Sequence, residues 1–203
     1  MAKRVRTIDL RKLHEELYRA KPAIQEVAAG KGTYLAVDGA GEPGGKGFQD
    51  AIMKLFSLVY TAKFMLKREG LIDFSIPSLE CLWPDDPKTK PMTEWRWRLM
   101  IRIPDEVTRA HLAPARKSLA ERKGTDTKDV RRVSWKEGMA LQVLHVGPYE
   151  KLGETYNALV SAAAERGYDC AGPGHEVYLS DPRRTAPERL KTIVRIAVRR
   201  ARG

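Results

Sequence analysis

Twice in this chain a short apolar strand is followed by an amphipathic helix and then by two more strands, and this repetition constrains the fold more than any single motif. The first pass runs Thr33 to Val37, Phe48 to Lys67, Ser78 to Trp83 and Glu94 to Ile103. The second runs Met139 to Val146, Glu150 to Glu165, His175 to Ser180 and Leu190 to Val198. The two close alike, on Ile101-Arg102-Ile103 and on Val194-Arg195-Ile196. Trp95, Trp97, Leu99, Ile101 and Ile103 alternate with Arg96, Arg98 and Arg102, the period of a strand with one buried face. In the first helix Phe48, Ile52, Leu55, Val59 and Leu66 keep a 3.6-residue period, and Ile52, Phe56, Tyr60 and Phe64 form a second row. That helix is expected to be covered on most sides. Neither half can cover its own sheet and helix, so the two should pack about a pseudo-twofold axis. The expected class is α+β: a duplicated β-α-β-β repeat with antiparallel sheets around a central pocket. The expected divisions are an N-terminal helical segment over 1–32 and a domain over 33–203. Within that domain repeat one spans 33–104, a linker helix 105–132 and repeat two 133–200.

Smaller elements punctuate this plan. Leu10, Leu13, Leu17 and Tyr18 predict a short peripheral helix over Ile8 to Tyr18, capped by Asp9. Thr108 to Lys123 has helical composition, although Pro114 should kink or split it. Gly124 to Arg132 and Gly167 to Gly174 read as turns and loops, and Pro84 to Pro91 as a hairpin loop.

Composition removes several function classes. At 203 residues with 42% hydrophobic content the chain can bury a substantial core, and no apolar run approaches the ~18 residues of a membrane span. Met1 to Arg6 is basic with no apolar stretch behind it, so no signal peptide is expected, and the expected location is cytoplasmic. Cys81 and Cys170 are expected as free thiols. The net charge of +11 gathers at Lys3 to Lys12, Arg116 to Lys128, Arg131-Arg132, Arg183-Arg184 and Arg195 to Arg202. No helix-turn-helix, zinc-finger or RNP pattern accompanies it, so a solvated basic surface is expected rather than specific nucleic-acid binding. The histidines 14, 111, 145 and 175 have neither C-x-x-C nor H-E-x-x-H company, and no metal or cofactor is expected. Asp38 to Gly45 formally matches G-x-G-x-x-G. Glu42 would sit where a pyrophosphate should bind, and Pro43 removes an amide, so those glycines serve a tight turn. No G-x-S-x-G occurs, and Cys81 lies on a strand that reads as buried.

What remains is a pair of acids on apolar strands. In Gly174-His175-Glu176-Val177-Tyr178-Leu179, Glu176 and Tyr178 point one way and Val177 and Leu179 the other. Leu79-Glu80-Cys81-Leu82-Trp83-Pro84 carries its acid at a matching place in the first half. Both acids are expected at a cleft shared by the halves. Trp83, Trp97, Tyr60, Tyr149 and Tyr178 lie on the elements that would border it. A Glu in such surroundings has its charged form disfavoured, and its pKa rises toward the range useful to a general base. The same constellation can hold a flat cation by stacking and an ion pair. It can also be a structural acid paired with an arginine.

Taken in order, Asp38-Gly39-Ala40-Gly41-Glu42-Pro43, Leu58 to Phe64, Leu79 to Trp83, Trp95-Arg96-Trp97, His145-Val146-Gly147-Pro148-Tyr149 and His175 to Arg183 resemble the GyrI-like small-molecule-binding family. The similarity is to its stand-alone branch. That resemblance implies two β-α-β-β repeats around a pocket with a carboxylate at its floor, and a hydrophobic, cationic or electrophilic small-molecule ligand. Relatives include multidrug effector-binding domains and a gyrase inhibitor. The stand-alone members imply hydrolysis of cyclopropane-bearing, DNA-alkylating compounds, a detoxifying activity. Carried onto this chain, Glu176 is the base, with Tyr149, Tyr60 or Tyr178 as helper, and Glu80, Trp83 and Trp97 shape the pocket. Cys81 stands where the family pattern has Gly, and Pro84 where it has another aromatic. The resemblance leaves open a non-catalytic multidrug-sequestering protein, a gyrase- or DNA-interacting one, and a monomer or a homodimer.

Overall fold

The computed structural model describes residues 7–85 and 89–201. Lys3, Arg4, Arg6 and Arg202 of the basic clusters, and 86–88 of the expected hairpin loop, lie outside the described residues. The chain is α+β with predominantly antiparallel strands, and both successions of strand, helix, strand, strand are present. It divides into two compact units. One comprises the described parts of 1–13, 32–77 and 87–135, the other those of 14–31, 78–86 and 136–203.

In the first unit the 33–40 part of β2 (Gln25–Ala40) pairs antiparallel with β5 (Arg96–Ile103), from Thr33 opposite Ile103 to Ala40 opposite Arg96. The alternation in β5 buries Trp97, Leu99, Ile101 and Ile103. The other row contributes Arg102, itself buried, with its guanidinium over the Tyr34 ring at 5.7 Å. Trp97 lies directly across from Gly39 and edge-on to Phe48, with ring centroids 5.2 Å apart. A β-carbon at position 39 would come within 2.1 Å of the indole, so the strand carries glycine there to let the ring lie against the backbone.

The long helix α3 (Lys46–Arg68) buries Leu55, Leu58, Val59, Ala62 and Leu66 along one stripe. Its aromatic row is different. Tyr60 and Phe64 are exposed, stacked in series with Phe56, so this helix is covered on one side and not on most. Two small strands, β1 (Thr7–Asp9) and β3 (Asp73–Ser75), pair in parallel beside it. Buried Asp73 binds Lys63 and Lys67 of α3, and the hydrogen bonds from these two lysines hold its carboxyl down at about 2.

The helix α4 (Arg109–Lys123) runs unbroken through Pro114, where the sequence suggests a kink or split. Pro114 removes one interior hydrogen bond, and burial of Leu112, Ala115 and Leu119 around it holds the helix through that position. Both ends are secured, by a reciprocal Thr108–His111 capping box and by Gly124 in the left-handed region at φ 62. The expected turn before residue 132 also ends sooner, since β6 (Arg131–Val146) has already begun.

The second unit is a four-stranded antiparallel sheet in the order β4 (Leu79–Trp83), β7 (Tyr168–Tyr178), β8 (Lys191–Arg200), β6. β7 extends back through the expected loop 167–174, accommodating Gly172 and Pro173 in a bulge between Cys170 and Gly174. Both sheet faces are covered. The helix α5 (Leu152–Glu165) brings Leu152, Leu159 and Ala163 onto Leu141, Val143, Val194 and Ile196. On the opposite face Leu17, Tyr18, Val27 and Ala29 meet Ala140, Val177 and Ile193.

The N-terminal segment is β1 and two short helices, α1 (Leu10–Leu13) and α2 (Glu15–Tyr18), interrupted at His14. Asp9 accepts the Arg11 and Lys12 amides as a cap should. The segment is not peripheral, however: Leu17 and Tyr18 are buried, because the sheet's second face needs a cover.

Gly39→Ala should destabilise the protein by about 1–3 kcal/mol through displacement of the Trp97 ring. Chemical denaturation read by tryptophan fluorescence measures it, and an unchanged midpoint would contradict the packing described.

Candidate functional site

The antiparallel register sorts the two acids. Glu80 lies opposite Val177 and Cys81 opposite Glu176. Opposed residues share a face, so Glu80 and Glu176 project from opposite faces of the β4–β7 pair. The expectation of one cleft holding both acids is corrected here. A one-residue offset in register is enough to part them.

Glu80 faces α2 and enters a buried polar chain. Tyr18 donates to Glu80 Oε1 at 2.7 Å. Glu80 Oε2 lies 3.0 Å from His175 Nε2, and Glu137 Oε2 lies 3.0 Å from His175 Nδ1. Arg195 donates Nη1–H to Glu137, Nε–H to Gln142 Oε1 and Nη2–H to the Leu17 carbonyl. Gln142 in turn donates to the Glu16 carbonyl. The His175 side chain has no solvent exposure, and those of Glu80, Glu137 and Arg195 have 2–3%. Two carboxylates and two cations thus balance in the interior.

With a carboxylate oxygen at each ring nitrogen, only the doubly protonated imidazolium donates to both. Burial alone would lower the His175 pKa. The charge of Glu137 and hydrogen bonds to Glu137 and Glu80 overcome that and hold it at about 9. Burial likewise works against the Glu137 anion, yet His175 and Arg195 bring its pKa below the ordinary value.

Glu176 faces α5, in different company. Tyr178, two residues along the same face, donates to Oε2 at 2.7 Å, and Tyr156 of α5 donates to Oε1 at 3.2 Å. The Trp83 indole N–H also favours the anion. Burial outweighs these donors and the more distant His175 charge, so the Glu176 carboxyl is raised above its ordinary range. Tyr149 stands edge-on to Tyr178, centroids 5.8 Å apart, and burial and the nearby Glu176 raise its hydroxyl pKa. Tyr149, Tyr178 and Trp83 are half-buried, whereas Glu176 retains 6% exposure. Buried Cys81 lies across the strand pair from Glu176, and Cys170 is exposed; both are free thiols.

Of the residues singled out from sequence, Glu176, Tyr178, Tyr149 and Trp83 are gathered on this face. Glu80 lies on the other face, and Tyr60 and Trp97 belong to the first unit. Sequence reading missed Tyr156, which was visible only as a core position of an amphipathic helix. It missed the whole chain behind Glu80 as well: Tyr18, Glu137, Gln142, His175 and Arg195. The signal available was the charged residues inside otherwise apolar strands, His175 beside Glu176 and Arg195 between Val194 and Ile196.

Two open hollows in the second unit are lined by other residues. One, about 350 Å³, lies between Ile24, Val143, His145 and Ala158, and the other between Glu15, Arg19 and Gln25. Among the described residues no group of three or more His, Cys, Asp or Glu is placed to hold a metal ion. No helix among them is long and apolar enough to cross a membrane.

The second unit thus sets a buried carboxylate among tyrosine hydroxyls on the α5 side of its sheet. The chain belongs to the GyrI-like family: the family's small-molecule-binding domain matches residues 22–199. A structure of an uncharacterised conserved protein from Listeria innocua is 32% identical, with a TM-score of 0.88, covering 95% of this chain and 100% of that one. Two structures described as hydrolases from Listeria innocua are 32% and 33% identical, with TM-scores of 0.87 and 0.85. They cover 96% and 95% of this chain and all of theirs. The C-terminal domain of EcmrR, at 14% identity and a TM-score of 0.55 over 91% of this chain and 99% of that one, shares the fold alone. No curated protein sequence matches the chain.

The raised His175 pKa has a linkage consequence. Its contribution to stability is complete below the ordinary value of 6.5 and is lost as pH rises through about 9. The loss is expected to be on the order of 3 kcal/mol. Urea denaturation at intervals between pH 6 and 10 should show this decline. His175→Gln should be less stable at neutral pH and flat across the same window. A flat wild-type profile would contradict a charged His175.

Proposed function

We propose that the protein is a hydrolase of strained, electrophilic small molecules, and that cyclopropane-bearing alkylating compounds are its substrate class. The observation that carries this reading is Glu176: a buried carboxylate of raised pKa, oriented by Tyr178 and Tyr156 and bordered by the half-exposed Tyr149 and Trp83. The relatives described as hydrolases, about one-third identical over nearly the whole chain, support it.

The chemistry follows from the donors. The two tyrosine donors on Glu176 leave acceptor capacity for a water, because a carboxylate has about four acceptor positions. A raised pKa makes the anion a stronger base once ionised. Glu176 takes a proton from that water as its oxygen attacks the less hindered ring carbon. The strained C–C bond breaks, its electron pair moves into the conjugated carbonyl, and Tyr149 delivers a proton to the developing oxyanion. Trp83 and the tyrosine faces hold the flat part of the ligand by stacking. The product is the substrate plus one water. In a cell such turnover removes the alkylating group before it meets DNA.

The same hydrogen bonds favour a second reading, a non-catalytic binder of hydrophobic cations, since an anion beneath aromatic faces also holds a positive charge. Incubation with a panel of cyclopropane-bearing alkylators and cationic dyes separates the two. Gain of 18 Da on the ligand by mass spectrometry supports hydrolysis, whereas tryptophan quenching without product supports sequestration.

Glu176→Gln should lower turnover by about 10²–10⁴-fold while leaving the melting temperature unchanged or higher. Tyr149→Phe should cost less. Turnover of the wild type should fall as pH drops through the raised pKa of Glu176, above the ordinary 4.5. A stable Glu176→Gln variant with full turnover would sink the proposal.

A further inference from the structure

The fold does not account for the outer face of α3. Asp50, Met53, Ser57, Tyr60, Phe64 and Lys67 recur at spacings of three and four, the interval of a helix–helix seam. This row is separate from the stripe through Leu55, Leu58 and Leu66 that anchors the helix. Met53 is 61% exposed, Tyr60 45% and Phe64 59%. Phe56, Tyr60 and Phe64 form an ordered wall, with successive centroids 6.1 Å apart and ring planes within 28° and 20°. The comparable outer row of α5 is Gly153, Asn157, Val160 and Ala164, with one large apolar side chain, as suits a helix face that meets only water. Large apolar groups held in register on an exposed face mark an interaction surface.

We infer that this face docks against the same face of a second copy of the chain, α3 against α3, antiparallel about a twofold axis. The row is self-complementary under that operation. Reversal about a point between Ser57 and Tyr60 places Met53 against Phe64 of the second copy, Ser57 against Tyr60, and Asp50 against Lys67. Thioether meets aromatic ring, small meets large, and acid meets base. A parallel pairing would oppose Asp50 to Asp50 and Lys67 to Lys67 and would align the helix dipoles. Lys67 is half-exposed and 2.8 Å from Asp73, which Lys63 also binds, so in the seam its charge would be shared between Asp73 and Asp50 of the second copy. Asp50 is paired with the exposed Lys46 one turn away. A twofold contact of this kind closes on itself and makes a dimer rather than a chain. A seam of one helix per copy falls short of the roughly 800 Å² per partner typical of stable complexes, so dissociation in the micromolar range is expected.

The test is sedimentation equilibrium of the full chain from roughly 1 to 100 µM, bracketing that range. The wild type should pass from monomer to dimer. Phe64→Glu should remain monomeric with unchanged circular dichroism. Asp50→Lys and Lys67→Asp should each weaken the dimer about tenfold or more, and the two together should restore it; rescue of this kind separates the seam from a general loss of fold. A wild type that stays monomeric overturns the inference, even if the face proves to bind lipid vesicles or another protein. A dimer indifferent to Phe64→Glu, or a double charge reversal that fails to restore association, overturns it too.

Discussion

A buried imidazolium between two carboxylates holds the second unit in register. β7 is an interior strand with both faces covered, so a charge on either face is stranded unless it is answered within the sheet. His175 is answered twice, by Glu80 from β4 and by Glu137 from β6, and Arg195 of β8 supplies the second positive charge. Four strands are therefore tied by groups that cannot be exchanged one at a time. Such an arrangement adds little net stability over an apolar core of the same volume. Its effect is on which register is allowed. Slipping β7 by one residue would turn His175 toward the α5 cluster and Glu176 toward Glu80, leaving one charge unpaired and two like charges together.

This is why Glu176 can differ from the other acids. Glu80 and Glu137 bond directly to cations; Glu176, one residue from His175, receives neutral donors, the hydroxyls of Tyr156 and Tyr178. Neutral donors orient a carboxylate and partly compensate its charge, and burial then raises its pKa. The charged network spares β7 from having to stabilise itself through Glu176. That acid is left undercompensated, a condition useful to a base and costly in a purely structural residue.

Periodicity carried most of the fold. The β5 alternation, the buried stripe of α3 and the two β-α-β-β successions were legible because each reports a face in contact with apolar surroundings. The strand extensions at 131–138 and 168–173 were not, because there strand pairing overrides local composition, charged and polar in the first and with glycine and proline in the second. Pro114 misled because local propensity is overridden by tertiary packing: the helix is held by burial of Leu112, Ala115 and Leu119 as well as by its caps. For the site, the period of two joined Glu176 to Tyr178 correctly, since both lie on one strand. It could not join Glu80 to either, because relative register between strands distant in sequence is set by side-chain pairing that a single strand does not reveal. Tyr18 and Tyr156 were hidden for a related reason: in a helical pattern a buried tyrosine looks like core, and its hydroxyl partner is known only once the facing strand is placed.

Both units seat a large aromatic ring on a strand glycine, and the difference between the two seats bears on where chemistry can occur. Trp97 rests over Gly39 and edge-on to Phe48, a contact that fills space. Tyr156 rests over Gly174, where a β-carbon would come within 2.8 Å of its hydroxyl oxygen. That oxygen also donates to Glu176, two residues further along the same strand. The glycine thus lets the ring approach closely enough for a helix side chain to reach a strand carboxylate across the packing layer. Tyrosine alone among the large apolar side chains combines such a footprint with a terminal O–H. With a phenylalanine in that seat the packing would be nearly the same, and Glu176 would be left with the Tyr178 hydroxyl. The geometry of the carboxylate therefore depends on a residue whose apolar face belongs to the core and whose oxygen belongs to the site.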